Sequence, residues 1–249
     1  MTFQAVLIDV ARLGLWLMLL AVVFVPLERL FGLRPAVIWR RDTAADLGFY
    51  FLNSLLPGFI LSVPLAFVAW GAHHVVPGAM QDWVAALPFW ARMAAGLVIG
   101  EIGFYWGHRW SHEVPLLWRF HAVHHRPDHL DWLVNTRAHP VDMVFTRLCG
   151  LVPLYALGLG GPGPQGDSVV PALIVIIGTV WGFLIHSNLR WRLGPVEAML
   201  STPAFHHWHH TLSGPINRNY SAMLPWLDRL FGTHHLPKGW PNDYGVRPD

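Results

Sequence analysis

The sequence is poor in charged residues, in cysteine and in lysine. Charged residues make up 13% of the 249 residues, about half the share found in an ordinary soluble domain. The single cysteine, Cys149, excludes a disulfide framework and any cysteine-rich zinc or iron–sulfur site. One lysine, Lys238, stands among the 17 basic residues, the formal net charge is +2, and no basic run suggests nucleic acid. The composition therefore argues against an ordinary soluble enzyme and against a nucleic-acid-binding protein.

Apolar side chains, by contrast, are abundant. Hydrophobic residues account for 53% of the chain, and the mean hydropathy is +0.38. A membrane span needs roughly 20 mainly apolar residues, and the sequence has four clear runs of this kind and a fifth that is shorter. These runs cover residues 3–26, 47–70, 84–106, 141–159 and 169–185. The sequence therefore predicts an all-α, polytopic integral membrane protein with about four to five membrane runs.

The basic residues alternate between the segments that separate these runs. Fourteen of the 17 lie after the first, third and fifth runs, whereas residues 71–83 and 160–168 hold none. Since cytoplasmic loops carry the excess of lysine and arginine, we expect the basic segments to face the cytoplasm. The other three, Arg12, Arg92 and Arg147, lie within apolar runs. The bias to arginine over lysine, with abundant alanine, glycine and proline, suggests a bacterial inner membrane.

Histidine is the unusual residue of this sequence. There are 16 histidines, more than the 15 acidic residues, and histidine is the commonest metal ligand. Three motifs hold most of the histidines on the expected cytoplasmic side: HRWSH from His108, HAVHH from His121 and HHWHH from His206. Positions i, i+3 and i+4 share one face of a helix. The rings of each motif are therefore predicted to converge, except the ring of His207.

These histidines predict a centre with two metal ions. Two octahedral or five-coordinate metals that keep positions open need about eight to ten protein donors. Single histidines in the RAHP and HSN sequences bring the candidates to ten. The predicted ligands are His108, His112, His121, His124, His125, His139, His186, His206, His209 and His210. Asp142 and Asn188 are candidates to orient ligand rings through their outer nitrogens.

The residues alone leave other classes of function open. A membrane zinc hydrolase needs three or four ligands rather than ten, and no HExxH sequence is present, because Leu116 stands where the second histidine would follow His112. A non-enzymatic metal transporter or haem protein is the other class. Transporter ligands usually lie near the midplane of the spans, whereas these histidines cluster at one face. The three motifs together favour a metal-dependent enzyme.

The same motifs resemble those of a known family, the integral-membrane fatty acid hydroxylase superfamily, also called the sterol desaturase family. Four segments are similar to its histidine boxes and to its C-terminal signature. They are GFYWGHRWSHEVPLLWRFHAVHH from Gly103, RAHPVD from Arg137, STPAFHHWHH from Ser201 and NRNYSAMLPWLDRLFGTHHLP from Asn217. The resemblance covers residues 95–245, and the spacing of three boxes is specific.

The resemblance implies a helical membrane fold and a centre of two iron ions that uses O2 to hydroxylate or desaturate an apolar lipid, such as a fatty acyl chain or a sterol. It implies the histidines of the three boxes as ligands, while His139 and His186 match less tightly placed family histidines. His207 departs from the pattern, since many members have arginine there.

The resemblance also suggests how the chain is organised. Residues 1–94 would be N-terminal membrane helices, and residues 95–249 would be the hydroxylase-like region with a cytoplasmic, histidine-rich cap. Both would form one structural unit. No electron-transfer domain fits beside this membrane core, so we expect an external electron donor.

Overall fold

The structure is a computed structural model that describes residues 3–161 and 169–246. Within these ranges the chain is helical, and its only β-bridges join Gly32 to Leu189 and Thr211 to Tyr244. The α-helices are α1 (Phe3–Phe31), α2 (Thr43–Val75), α3 (Gly78–Ala86), α4 (Phe89–Glu113), α5 (Pro115–His125), α6 (Pro140–Ala156), α7 (Val170–His186), α8 (Pro203–His209) and α9 (Trp226–Leu230). Short 3-10 helices cover Trp132–Thr136 and Gly194–Ala198. The predicted all-α class is confirmed.

Two helices are long and apolar enough to cross a membrane by themselves. α1 has 29 residues and α2 has 33 residues. Large apolar side chains on both helices face outward, including Trp16, Val22 and Phe67. A long helix with an apolar exterior suits the hydrocarbon core of a bilayer. The two helices match the first two predicted runs, although α2 continues to Val75 and so shortens the predicted outer segment.

The third predicted run is not one straight helix. α3 and α4 meet at a bend of 113°. Pro88 is the N-cap of α4, and the bend falls there because proline has no amide hydrogen with which to continue α3. The fourth and fifth runs form α6 and α7, which have 17 residues each.

The number of membrane spans stays a prediction. Within the described residues, two helices have spanning length and composition, or three if the bent pair is one span. α6 and α7 are shorter than the roughly 20 residues that a straight span needs. The second predicted outer segment, residues 160–168, lies largely outside the described residues.

Glycines allow α4 and α6 to pack closely. A Cβ on Gly103 would collide with the backbone carbonyl of Cys149. On the facing helix, a Cβ on Gly150 would lie 3.2 Å from the carbonyl oxygen of Gly100. Small residues permit this close approach of helices in membranes. The contact holds the start of α6 beside the end of α4.

Buried carboxylates tie the histidine-rich end of the molecule together. The Glu28 carboxylate at the end of α1 accepts hydrogen bonds from the backbone amides of Trp132 and Asn188, each at 2.8 Å. The Asp228 carboxylate in α9 accepts a hydrogen bond from the amide of Tyr220 at 2.7 Å. At the same end of the molecule, α5 packs against α4, and α8 packs against α7.

Candidate metal centre

Nine histidines form two adjacent groups at this end of the molecule. Within each group, one ring nitrogen of every member lies within 4.8 Å of those of the other members. Group A consists of His108, His112, His121, His125 and His209. Group B consists of His124, His186, His206 and His210. The groups touch, since the rings of His125 and His210 stack with their centroids 4.3 Å apart.

The helical spacing of the motifs explains how the groups form. α4 presents His108 and His112 to group A, and α5 presents His121 and His125 to the same group. Both pairs are four residues apart and therefore share a helical face. His124 lies on the neighbouring face of α5 and joins group B. The HHWHH motif also contributes to both groups: His209 belongs to group A, and His206 and His210 belong to group B.

Four of these rings are hydrogen-bonded to backbone carbonyls through Nδ1. In these rings we call Nδ1 the outer nitrogen and Nε2 the inner nitrogen. Each ring donates from Nδ1, since a carbonyl oxygen can only accept. The distances are 2.6 to 2.8 Å, and the pairs are His108 with Tyr220, His124 with Arg137, His186 with Gly182, and His209 with Arg218. A ring that donates from Nδ1 keeps a bare lone pair on Nε2. These contacts fix the tautomer and orientation that a metal ligand requires.

Side chains hold the outer nitrogens of two further rings. The Nδ1 of His121 donates to a carboxylate oxygen of Asp142 at 3.0 Å. The Nδ1 of His112 lies 3.2 Å from the amide oxygen of Asn217. Asp142 also accepts a hydrogen bond from the Ser111 hydroxyl at 3.0 Å, which fixes the carboxylate. The prediction that Asp142 orients a ligand ring is consistent with this geometry.

Some of the inner nitrogens lack a protein partner that would satisfy them. The Nε2 atoms of His112 and His209 are buried and form no hydrogen bond with the residues that the structure describes. The Nε2 atoms of His124 and His186 lie 3.1 Å apart, although both rings already donate from Nδ1. Two bare acceptors at this distance repel each other unless they share a cation. Because unsatisfied buried polar groups are rare, the donor set fits bound metal ions.

Burial also keeps the rings outside the membrane helices neutral. It lowers the pKa of His124 to about 4. It lowers the pKa values of four other rings well below the usual 6.5, namely those of His125, His206, His209 and His210. A histidine must be neutral to bind a metal. These rings are therefore ready to bind at neutral pH.

One predicted ligand, His139, lies in neither group. Its Nδ1 accepts a hydrogen bond from the amide of Val141 at 3.2 Å, so that it caps the start of α6. Its ring packs against Phe120. Asn188 also lies away from the ligand rings, because its side chain bonds the backbone of Arg34 on both sides of its amide.

His207 is buried outside both groups, as its position in the motif predicts. Its Nδ1 lies 2.7 Å from the Tyr244 hydroxyl. Its Nε2 donates a hydrogen bond to the carbonyl oxygen of Ser187 at 3.0 Å. The ring therefore joins α8 to the end of α7 and to the C-terminal segment.

A segment near the C-terminus supports group A from outside, although the sequence predicted no role for its individual residues. Asn217 and Asn219 have left-handed backbones, with φ of 59° and 60°, which asparagine tolerates better than most residues. This path brings the Asn217 side chain and the carbonyls of Arg218 and Tyr220 to three rings of group A. Every residue has a backbone carbonyl, so the sequence does not show which carbonyls will bond the rings. Only the NRNY sequence inside the family-like C-terminal signature pointed to this segment.

A cavity of about 280 Å³ reaches from the histidines into the helices. Rings from both groups line it, including His108 and His186. Most other lining side chains are apolar, among them Leu97, Leu154 and Ile174 from α4, α6 and α7. Ligand pockets are commonly apolar with a few placed polar groups. The cavity gives an apolar ligand access to the two groups.

Several known proteins are similar to this chain in sequence. The chain is 40% identical over 188 residues to an ornithine lipid hydroxylase of Rhizobium tropici, which covers 74% of this chain and 54% of that protein. It is 32% identical over 135 residues to the alkylglycerol monooxygenase of Homo sapiens, which covers 53% of this chain and 28% of that protein. Methylsterol monooxygenase 2-2 of Arabidopsis thaliana is 26% identical over 209 residues, with 78% of this chain and 71% of that protein covered. No solved structure matches the chain.

The chain spans 54% of the length of the first of these relatives and 28% of the length of the second. The model of the fatty acid hydroxylase family matches residues 93–233. This match covers more than half of the chain and includes every histidine of groups A and B. The resemblance inferred from the histidine boxes is confirmed, and the chain belongs to the fatty acid hydroxylase family.

Proposed function

We propose that this protein is a membrane-bound, O2-dependent lipid hydroxylase whose two iron ions are held by groups A and B. The observation that carries the proposal is the convergence of nine histidines, six of them held at the outer nitrogen, at one end of an apolar cavity. The relatives are named for the hydroxylation of ornithine lipid and for the monooxygenation of alkylglycerol and methylsterol. These names support a lipid substrate here.

A pair of iron ions with O2 supplies the oxidising power that replaces hydrogen by hydroxyl at an unactivated C–H bond. The chain itself orients the ligands. Asp142 holds the proton on Nδ1 of His121 and is fixed in turn by Ser111, so that Nε2 of that ring points inward. Leu97, Leu154 and Ile174 line the cavity and seat the apolar body of the substrate.

The overall reaction also requires a partner that donates electrons. Hydroxylation of a lipid consumes one O2, two electrons and two protons, and releases water beside the alcohol. The lipid and O2 do not themselves supply these two electrons. The proposal therefore includes an external electron donor.

The number of rings separates this proposal from the alternatives. A bis-histidine haem uses two facing imidazoles, and a catalytic zinc uses three protein ligands. Neither requires nine histidines divided between two groups. Desaturation begins with removal of the same hydrogen, and the hydroxylase and monooxygenase names of the relatives favour hydroxylation.

We also propose a place for the protein in the cell. Residues 95–249 would form the oxidising unit and residues 1–94 would add membrane helices to it. Arg109 and Arg190, which lie beside the ends of α4 and α7, belong to the segments rich in basic residues. By the rule that such segments stay in the cytoplasm, the histidines lie on the cytoplasmic side of a bacterial inner membrane.

The test is to grow cells that express the chain under 18O2 and to analyse their extracted lipids by mass spectrometry. His121→Ala removes a ring of group A. His74→Ala is the matched control, because His74 is exposed near the end of α2 and outside both groups. We expect a lipid with an 18O label in cells that express the unaltered chain or H74A, and none with H121A. Absence of labelled lipid in all three, or equal labelling with H121A, would contradict the proposal.

A further inference from the structure

Arg147 is a charged side chain in the wall of the cavity. It lies in the middle of α6, is partly buried, and lines the same cavity as the histidines. Its guanidinium forms no hydrogen bond or ion pair with residues 3–161 or 169–246. The other two arginines of the apolar runs do have partners. Arg12 bonds Asp9, and Arg92 bonds the carbonyls of Leu159 and Gly161.

The carboxylates that line the described part of the cavity are already engaged. They are Glu101 and Asp142. Glu101 accepts a hydrogen bond from the backbone amide of Met223 at 2.6 Å. Asp142 accepts hydrogen bonds from His121 and Ser111. Neither is a bonded counter-ion for Arg147. The cavity therefore contains a cationic group that is free to pair with a ligand.

An arginine inside a membrane helix is costly and usually marks the path of a ligand. Its planar guanidinium binds carboxylate and phosphate groups through paired, charge-assisted hydrogen bonds. Resting on the proposed function, we infer that Arg147 binds the anionic group, a carboxylate or a phosphate, of an amphiphilic lipid substrate. The preferred substrates are thus acidic lipids rather than neutral ones such as free sterols or alcohols.

The position of Arg147 along α6 sets the orientation of that lipid. Asp142, at the histidine end, precedes it by five residues, or about 7.5 Å of helix. Leu154 follows it by seven residues on nearly the same face, about 10.5 Å further along, and is fully buried. Since the end of the cavity near Leu154 is apolar, the acyl chain occupies that end. The polar end of the lipid then lies nearest to groups A and B.

Binding to the purified full-length protein tests this inference without turnover. Native mass spectrometry in a nonionic detergent, in the absence of O2, would compare palmitate and palmitoyl lysophosphatidate with neutral hexadecanol. Acetate and inorganic phosphate serve as anions without a chain. The variants are Arg147→Gln, Arg147→Lys and the matched control Arg12→Gln, which removes an exposed arginine of α1. Hexadecanol binding shows that the cavity of each variant is intact.

We expect R147Q to weaken the binding of at least one anionic lipid by about tenfold or more, while hexadecanol binding stays unchanged. R147K should retain part of the affinity, and R12Q all of it. The anionic lipid whose binding depends on Arg147 identifies the carboxylate or the phosphate as the ligand group. Anionic lipids that bind no better than hexadecanol, an equal loss for all three lipids in R147Q, or equally tight binding of the chainless anions would overturn the inference.

The outcome is distinct from that of the 18O2 experiment. Labelled lipid together with binding that does not depend on Arg147 would overturn this inference and leave the proposed function standing. Binding that depends on Arg147, without any labelled lipid, would overturn the proposed function and leave the anion site standing.

Discussion

His186 and His139 are both single histidines at the ends of apolar runs, yet their surroundings differ. The ring of His186 lies 4.2 Å from the ring of His206, centroid to centroid, and its outer nitrogen donates to the Gly182 carbonyl. The Nδ1 of His139 instead accepts from the amide of Val141. We therefore propose a metal-binding role for His186 and a helix-capping role for His139.

Replacing each of these two histidines with alanine should separate the roles. His186→Ala removes one of the four rings of group B, and we expect metal binding in that group to weaken by at least about tenfold. His139→Ala should leave metal binding unchanged, because its ring belongs to neither group. The measurement is the iron retained per chain during titration with a chelator. Equal retention by the two variants would contradict the assignment.

The sequence could predict the three histidine motifs, but it could not rank these single histidines. Spacing of three and four residues is a local property, so the convergence of His121 and His125 follows from helical geometry alone. Whether a single histidine reaches the centre depends on where its helix ends relative to distant helices. The same limit applies to Asp142 and Asn188, which were equal candidates until the packing of α6 beside α4 placed only Asp142 against a ligand ring.

At the scale of the elements, the contact between α4 and α6 supports the whole centre. α4 carries two rings of group A, and α6 carries the carboxylate that orients a third. The close approach depends on Gly103, where a Cβ would meet the Cys149 carbonyl. Backbone cannot move aside as the end of a flexible side chain can, so the two helices would have to separate.

Gly103→Ala should therefore destabilise the protein by about 1–3 kcal/mol and lower its metal content, because Asp142 would move away from His121. Gly14→Ala is the matched control, since a Cβ at this helical glycine of α1 meets nothing within 4 Å. Because alanine favours a helix more than glycine does, this substitution should leave the stability unchanged or raise it by up to about 1 kcal/mol. A thermal unfolding assay in detergent, paired with metal analysis, measures both quantities. Equal melting temperatures for the two variants would show that the helices do not depend on this contact.

Helix boundaries were less predictable than helix positions. Residues 84–106 read as one apolar run, but the structure divides this region into α3 and α4 at Pro88. Hydropathy averages over a window and does not register a bend. α2 likewise continues beyond the predicted run, and the His73 ring near its end lies 3.0 Å from the Gln81 amide oxygen of α3. Such contacts between neighbouring helices have no counterpart in composition.

At the scale of the whole molecule, the proposed orientation in the membrane can be tested by cysteine labelling. In a Cys149→Ser background, His74→Cys probes the predicted outer segment, and Ser213→Cys probes an exposed position near group B. We expect an impermeant maleimide to label H74C in intact spheroplasts and to label S213C only after lysis, because basic segments stay in the cytoplasm. The reverse pattern would place the histidines on the outer side.

The central claim is that groups A and B together hold two iron ions. The most direct test is the iron content per chain of protein reconstituted with ferrous iron without O2, beside a variant with His121, His124 and His125 all replaced by alanine. These three rings contribute to both groups. The account predicts about two irons per unaltered chain, as two separate groups of ligands require, and almost none in the variant. Fewer than about one iron in the unaltered chain, or undiminished iron in the variant, would contradict the assignment of these histidines as a two-metal centre.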